Sequence, residues 1–159
     1  MNFSPLQLHY PPLADLGERA EGLFRDRNYR ESTQVMRQFA EGVLRTILKD
    51  NSLSYSEMMR TPLVQQLADS VTYEYFRRIR EIGNVASHFR LGQTPALMEN
   101  ADHHYLVRTA EDAAECLKYG HGIAVWLMSL KDREFDYPAF RPLAAPRTRA
   151  AAGDAKPVF

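Results

Sequence analysis

The sequence predicts an all-α protein, a bundle of about four main helices with short connecting helices. Three observations lead there. Apolar residues recur at spacings of three and four through most of the chain, helix-capping pairs stand before several of these runs, and no segment alternates apolar with polar residues as a half-buried strand does. The 159 residues suit one domain, with residues 1–135 as its helical body and 136–159 as a proline-containing strap and a disordered C-terminal tail.

The first helix is expected over about Leu13 to Arg25, where Leu13, Leu16, Ala20, Leu23 and Phe24 share a face behind the stiff Pro11-Pro12 pair. Asp26-Arg27-Asn28 breaks the pattern, and Asn28 with Glu31 has capping-box spacing for a long helix from Tyr29 to Lys49. Val35, Met36, Phe39, Ala40, Val43, Leu44, Ile47 and Leu48 form its buried stripe. Ser54 with Glu57 and Thr61 with Pro62 predict two short helices over 55–60 and 62–69. Tyr75, Phe76, Ile79, Ile82, Val85, Ala86 and Phe89 then mark a helix from about Thr72 to Phe89. Gly83 lies inside it at a cost of about 1 kcal/mol against alanine, which points to close approach of a neighbour or to a kink. Gly92 and Pro95 mark a loop, a helical turn is expected over 96–100, and Thr109 with Asp112 caps a last helix from Ala110 to Leu130. Its stripe of Ala113, Ala114, Leu117, Gly120, Ile123, Ala124, Leu127 and Met128 suits close packing within the core or across a dimer interface.

Composition excludes several classes of function. With 45% hydrophobic and 25% charged residues the chain is neither a disordered nor a collagen-like sequence. The lone Cys116 forms no intrachain disulfide and supplies no zinc-finger set, and a reducing cytoplasm is the expected compartment. No signal peptide or membrane-length apolar run is visible. Lys and Arg balance Asp and Glu, 20 against 20, which excludes a generic polycation. The balance is uneven along the chain, however. Residues 77–90 carry Arg77, Arg78, Arg80 and Arg90 against Glu81, a net of +3, between acidic flanks, and the tail 141–159 is again net +3.

That basic stretch holds the candidate site. On a helix Asn84 and His88 are one turn apart, and Arg77, Arg80 and Glu81 join them on the polar side. His88, Arg80 and Asn84 are the candidate catalytic groups, and Arg77, Arg78, Arg80, Asn84 and His88 the candidate contacts to nucleic acid or a partner. The plain alternative is a solvated helix face in which Arg37 and Arg80 pair with Glu41 and Glu81 and His88 makes a structural hydrogen bond.

Asn2-Phe3, Leu13 to Leu23, Val35-Met36-Arg37-Gln38-Phe39-Ala40-Glu41, the run Ile79-Arg80-Glu81-Ile82-Gly83-Asn84-Val85-Ala86-Ser87-His88 and Ala124-Val125-Trp126 resemble the HEPN-like helical domain at the N-terminus of type I restriction R subunits and related helicases. The resemblance covers about residues 2–143. It implies a cytoplasmic accessory module of a restriction or phage-defence system, a homodimer, and a protein partner or an RNA or DNA backbone as ligand. Many HEPN proteins are metal-independent ribonucleases with an arginine four to six residues before a histidine, the imidazole moving protons and the guanidinium stabilising phosphate charge. Here Gly83 stands where the arginine before Asn84 would be, and Arg80 lies further upstream of His88. The departure favours a non-catalytic module, with a metal-independent endoribonuclease using His88 and Arg80 as the alternative. No phosphate-binding Gly-x-x-x-x-Gly-Lys-Ser/Thr loop is present.

The remaining features read as structural. The His103-His104 pair stands beside Asp102, but neighbouring side chains on a helix or strand point apart and no third protein ligand is evident, so neither a metal nor another cofactor is expected. Trp126 and Cys116 fall near core positions, His9 and His121 read as structural, and Tyr29, Tyr55, Tyr73 and Tyr75 suit the core edge better than a stacking platform.

Overall fold

The computed structural model describes the backbone of residues 1–87 and 95–143, and the side chains of residues 1–84 and 109–143. Its described residues are all-helical, as expected: a 3-10 turn at Ser4–Leu8, then α1 (Pro11–Arg25), α2 (Tyr29–Leu48), α3 (Tyr55–Met59), α4 (Pro62–Leu67), α5 (Ser70–Ser87) and α6 (Pro95–Lys131). No described helix is long and apolar enough to cross a membrane.

Helix α1 starts with Pro11 and Pro12, where the missing N–H and preset φ of proline cost nothing. Between α1 and α2 the chain turns through Arg27 in the left-handed region, and the Asn28 N–H closes the turn on Leu23 O at 2.8 Å. The expected capping box is absent: the Asn28 side chain makes no cap hydrogen bond, because that backbone-closed turn holds Asn28 away from the extended conformation capping requires. Its counterpart at Ser54 and Glu57 forms in full, and Thr61 caps α4 ahead of Pro62.

Helix α2 is central, contacting α1, α5 and α6. Val35, Met36, Phe39, Ala40, Val43 and Leu44 are buried along it, with Ile47 and Leu48 half-buried near its end. Helices α5 and α6 are antiparallel, since Phe76 meets Trp126, Tyr75 abuts Gly122 and Arg78 reaches back to Glu115. Phe76, Ile79 and Ile82 are buried on α5, as the spacing predicts, and Trp126 and Cys116 are buried on α6. The predicted loop after Gly92 and the residues Phe89 and Arg90 lie at least partly outside the described residues. A separate last helix beginning at Ala110 is corrected to one continuous α6 of 37 residues, about 55 Å long, with Thr109 in its interior. No glycine or proline stands between Pro95 and Gly120 to stop it, and the local Thr109–Asp112 signal does not override that continuity.

After α6 the chain returns as an extended strap. His121 Nε2 is 2.8 Å from Pro138 O, and the Tyr137 hydroxyl donates to Asn2 O at 2.7 Å. Asn2 fastens strap and N-terminus together: its amide donates to Arg141 O and to Glu21, and its Oδ1 accepts from Arg141 N. Glu21, only 1% exposed, also accepts from the Asn2 N–H and the Met1 ammonium, which satisfies a carboxylate that the apolar pattern of α1 does not foresee. Residues 144–159, the expected disordered tail, lie outside the described residues.

Packing here depends on space left at glycines. A Cβ at Gly17 would lie 2.2 Å from Cγ of the fully buried Phe3, whereas one at Gly22 would meet nothing within 4 Å. Gly17→Ala is therefore expected to destabilise by about 2 kcal/mol through overpacking, and Gly22→Ala to stabilise by about 0.5–1 kcal/mol through helix propensity. Urea denaturation of the two variants beside the parent checks the opposite signs.

Candidate functional site

The basic stretch on α5 divides into two sides with different electrostatics. Arg77, 48% exposed, bonds Glu74 at 2.9 Å and also pairs with Glu81. The hydrogen bonds and charge of Glu74, with the charge of Glu81, hold its guanidinium still more firmly protonated than usual. Arg78 bonds Glu81 at 3.3 Å and approaches Glu115 of α6 at 3.7 Å, beside the stacked rings of Tyr75 and Tyr119. Glu74 and Glu115 both lie outside the stretch whose sequence charge is +3. The Arg77–Arg78 side is thus a compensated ion-pair network, worth little to stability because it is exposed.

Arg80 lies on the other flank of α5. It makes no ion pair with any described carboxylate, and its charge acts on Tyr55 of α3. Asn84, one turn further on and half-buried, makes no side-chain hydrogen bond to a described residue. His88 lies outside the described residues, so the Asn84–His88 pairing has no geometry here.

A second arginine enters from α2. The Arg37 stem passes over Gly83, where an added Cβ would sit 2.7 Å from Arg37 Cδ and 2.9 Å from its Cβ. Of the two expectations for Gly83, close approach is the one observed. Arg37 Cζ lies 5.8 Å from the centroid of the Tyr55 ring, and Arg37 Nε is buried with no hydrogen-bond partner. The plain alternative for both arginines is not what forms: Glu41 bonds Arg45 at 2.7 Å, and Glu81 is taken by Arg77 and Arg78. Sequence reading places Arg37 in a motif but not in the site. Gly83 is the signal that points to it, because a helical glycine at a packing face implies a side chain laid across it.

Tyr55 lies beneath the Arg37 guanidinium. It is 2% exposed and its hydroxyl donates to Phe76 O at 2.7 Å. Burial pushes its phenol well above the ordinary value, against a smaller opposing effect of Arg37 and Arg80. Cys116 is buried, and burial with the charges of Asp112 and Glu115 pushes its thiol upward, which leaves it a poor nucleophile. No group of three or more metal-ligating side chains occurs among the described residues; His103 and His104 have side chains outside them. Chemically, the site offers one guanidinium held over an aromatic ring, that of Arg37, with a second cation, Arg80, one turn along α5 from the glycine it crosses.

No family model, curated protein or solved structure matches the chain.

The raised phenol of Tyr55 sets a pH dependence. Its contribution to stability is complete below the ordinary phenol pKa of about 10 and is lost as pH rises toward the higher folded value. Tyr55→Phe is expected to cost about 1 kcal/mol at pH 7, through the lost hydrogen bond to Phe76 O, and to weaken the fall in stability above about pH 10. Urea melts of both proteins at neutral and alkaline pH check this.

Proposed function

We propose that the chain is an accessory HEPN-like interaction module of a restriction or phage-defence system, acting in the cytoplasm without catalysis by contacting a nucleic-acid backbone through the Arg80 side of α5. The observation that supports this reading is the division of the arginines. Arg77 and Arg78 are neutralised by Glu74, Glu81 and Glu115, while Arg80 and Arg37 are left without a described carboxylate partner on the adjoining flank. Guanidinium groups not already paired lose less on meeting a phosphate than those that must first give up an ion pair. Contact of this kind reads charge and not sequence, and it weakens steeply with salt. The HEPN-like resemblance supplies the defence context and the homodimer.

Arg80→Ala and Arg77→Ala change net charge equally, so comparing them isolates local contact from the general field. At low salt Arg80→Ala is expected to weaken binding of a short single-stranded oligonucleotide about tenfold and to lower the slope of log K against log salt by about 0.7, with Arg77→Ala changing affinity less than about threefold. Fluorescence anisotropy across a salt series measures both, and equal losses would remove the Arg80 side as the contact. No RNA cleavage is expected in EDTA. Cleavage that disappears in His88→Ala would replace this reading with the metal-independent endoribonuclease.

A further inference from the structure

Resting on that reading, we infer that Arg37 and Arg80 together hold a single phosphate group at the α2–α5 seam, where Arg37 crosses Gly83. The two arginines come from different helices: Arg37 reaches α5 from α2 at Gly83, which stands three residues, just under one helical turn, from Arg80. Nothing in the described part of the chain neutralises them as a pair. Glu41, the carboxylate nearest in sequence to Arg37, is committed to Arg45, and Glu81 to Arg77 and Arg78.

Two further observations favour an anion as the missing partner. Arg37 Nε is a buried donor without an acceptor, an arrangement that costs about 1–3 kcal/mol and is rare in folded proteins without an ion or water to account for it. Arg37 is also held in place: its stem rests on Gly83 and its Cζ faces the Tyr55 ring at 5.8 Å, so little side-chain freedom is left to lose on binding. A phosphate suits the pair better than a carboxylate because its tetrahedral oxygens accept from two non-coplanar forks. Asn84, one turn from Arg80, adds an amide donor at the same flank.

The test is thermal unfolding of the full chain in inorganic phosphate, and in acetate or chloride at matched ionic strength. Phosphate at about ten times its Kd is expected to raise Tm by about 4 °C, with no comparable rise in acetate. Arg37→Met keeps the apolar stem over Gly83 and removes the unpartnered donor, so its own Tm should equal or exceed the parent's while the phosphate shift disappears. Arg80→Met should lose the shift too, and Arg77→Met should keep it. A shift that survives in Arg37→Met and Arg80→Met, or that acetate or an acidic peptide reproduces, overturns the phosphate site. Oligonucleotides with a 5′-phosphate or a 5′-hydroxyl separate the sources: about tenfold tighter binding of the former assigns a terminal phosphate, and equal binding an internal phosphodiester. Oligonucleotide binding that weakens in Arg80→Met but not in Arg37→Met, with no phosphate shift in the parent, sinks the paired phosphate site and leaves the interaction module standing, whereas failure of the parent to bind any oligonucleotide removes the module reading as well.

Discussion

The structure depends on how closely other elements approach α2. That helix is surrounded by α1, α5 and α6, and three of its contacts are made where a glycine removes a side chain from the opposing or central helix. Arg37 crosses Gly83 of α5, Met36 sits against Gly120 of α6 with its sulfur 2.3 Å from where a Cβ would be, and Leu13 of α1 reaches Gly42 of α2 itself. Glycine lowers helix propensity at each position, yet close packing recovers more than the roughly 1 kcal/mol involved, because dispersion falls off quickly with any gap. Phe3 extends the same principle, with its ring over Gly17 and edge-on to Phe39 of α2.

This packing determines which charges can meet. Helix α5 lies against α2 on one side and α6 on the other, so arginines two and three residues apart on α5 encounter different neighbours. Arg78 meets Glu115 of α6, while Arg80 stands one turn before Gly83, where Arg37 of α2 crosses α5. Net charge summed along the chain treats Arg77, Arg78 and Arg80 alike. In three dimensions the first two are compensated from outside the segment, by Glu74 and Glu115, and the local positive charge contracts to the flank shared by Arg80 and Arg37.

Fold class and the four long helices were legible because periodicity is a sum over many residues, and the eight-position stripe of α2 tolerates the half-exposure of Ile47 and Leu48. Single-residue signals fared unevenly. Ser54–Glu57 became a capping box, while Asn28–Glu31 did not, since the left-handed Arg27 turn was already closed by backbone hydrogen bonds. Thr109 has the right residue type for a cap but no helix-breaking neighbour, and α6 runs through it. Glu21 and Asn2 were illegible as a clamp because their partners lie 19 and 139 residues apart in the chain, a pairing no local pattern encodes. At the candidate site, Arg80 and Asn84 could be placed on one side of α5 from spacing alone, but the choice of Arg37 over Arg77 as a companion required knowing which carboxylates were already occupied.

Gly83 joins the fold to the site. An arginine–histidine ribonuclease motif would need an arginine immediately before Asn84, and this sequence has glycine there. The structure gives the substitution a physical consequence: an arginine at 83 would occupy the space through which Arg37 passes, since even a methyl group falls within 3 Å of its Cβ and Cδ. Position 83 therefore cannot supply its own cation while α2 remains packed as it is. A guanidinium still reaches this part of the bundle, but it is carried by α2, and its stem contributes to the helix contact that its charge exploits. A side chain with both duties cannot be removed cleanly by alanine, which would open a cavity over Gly83 and take away the charge at once. Only a substitution that keeps the stem separates the packing role of Arg37 from its electrostatic one.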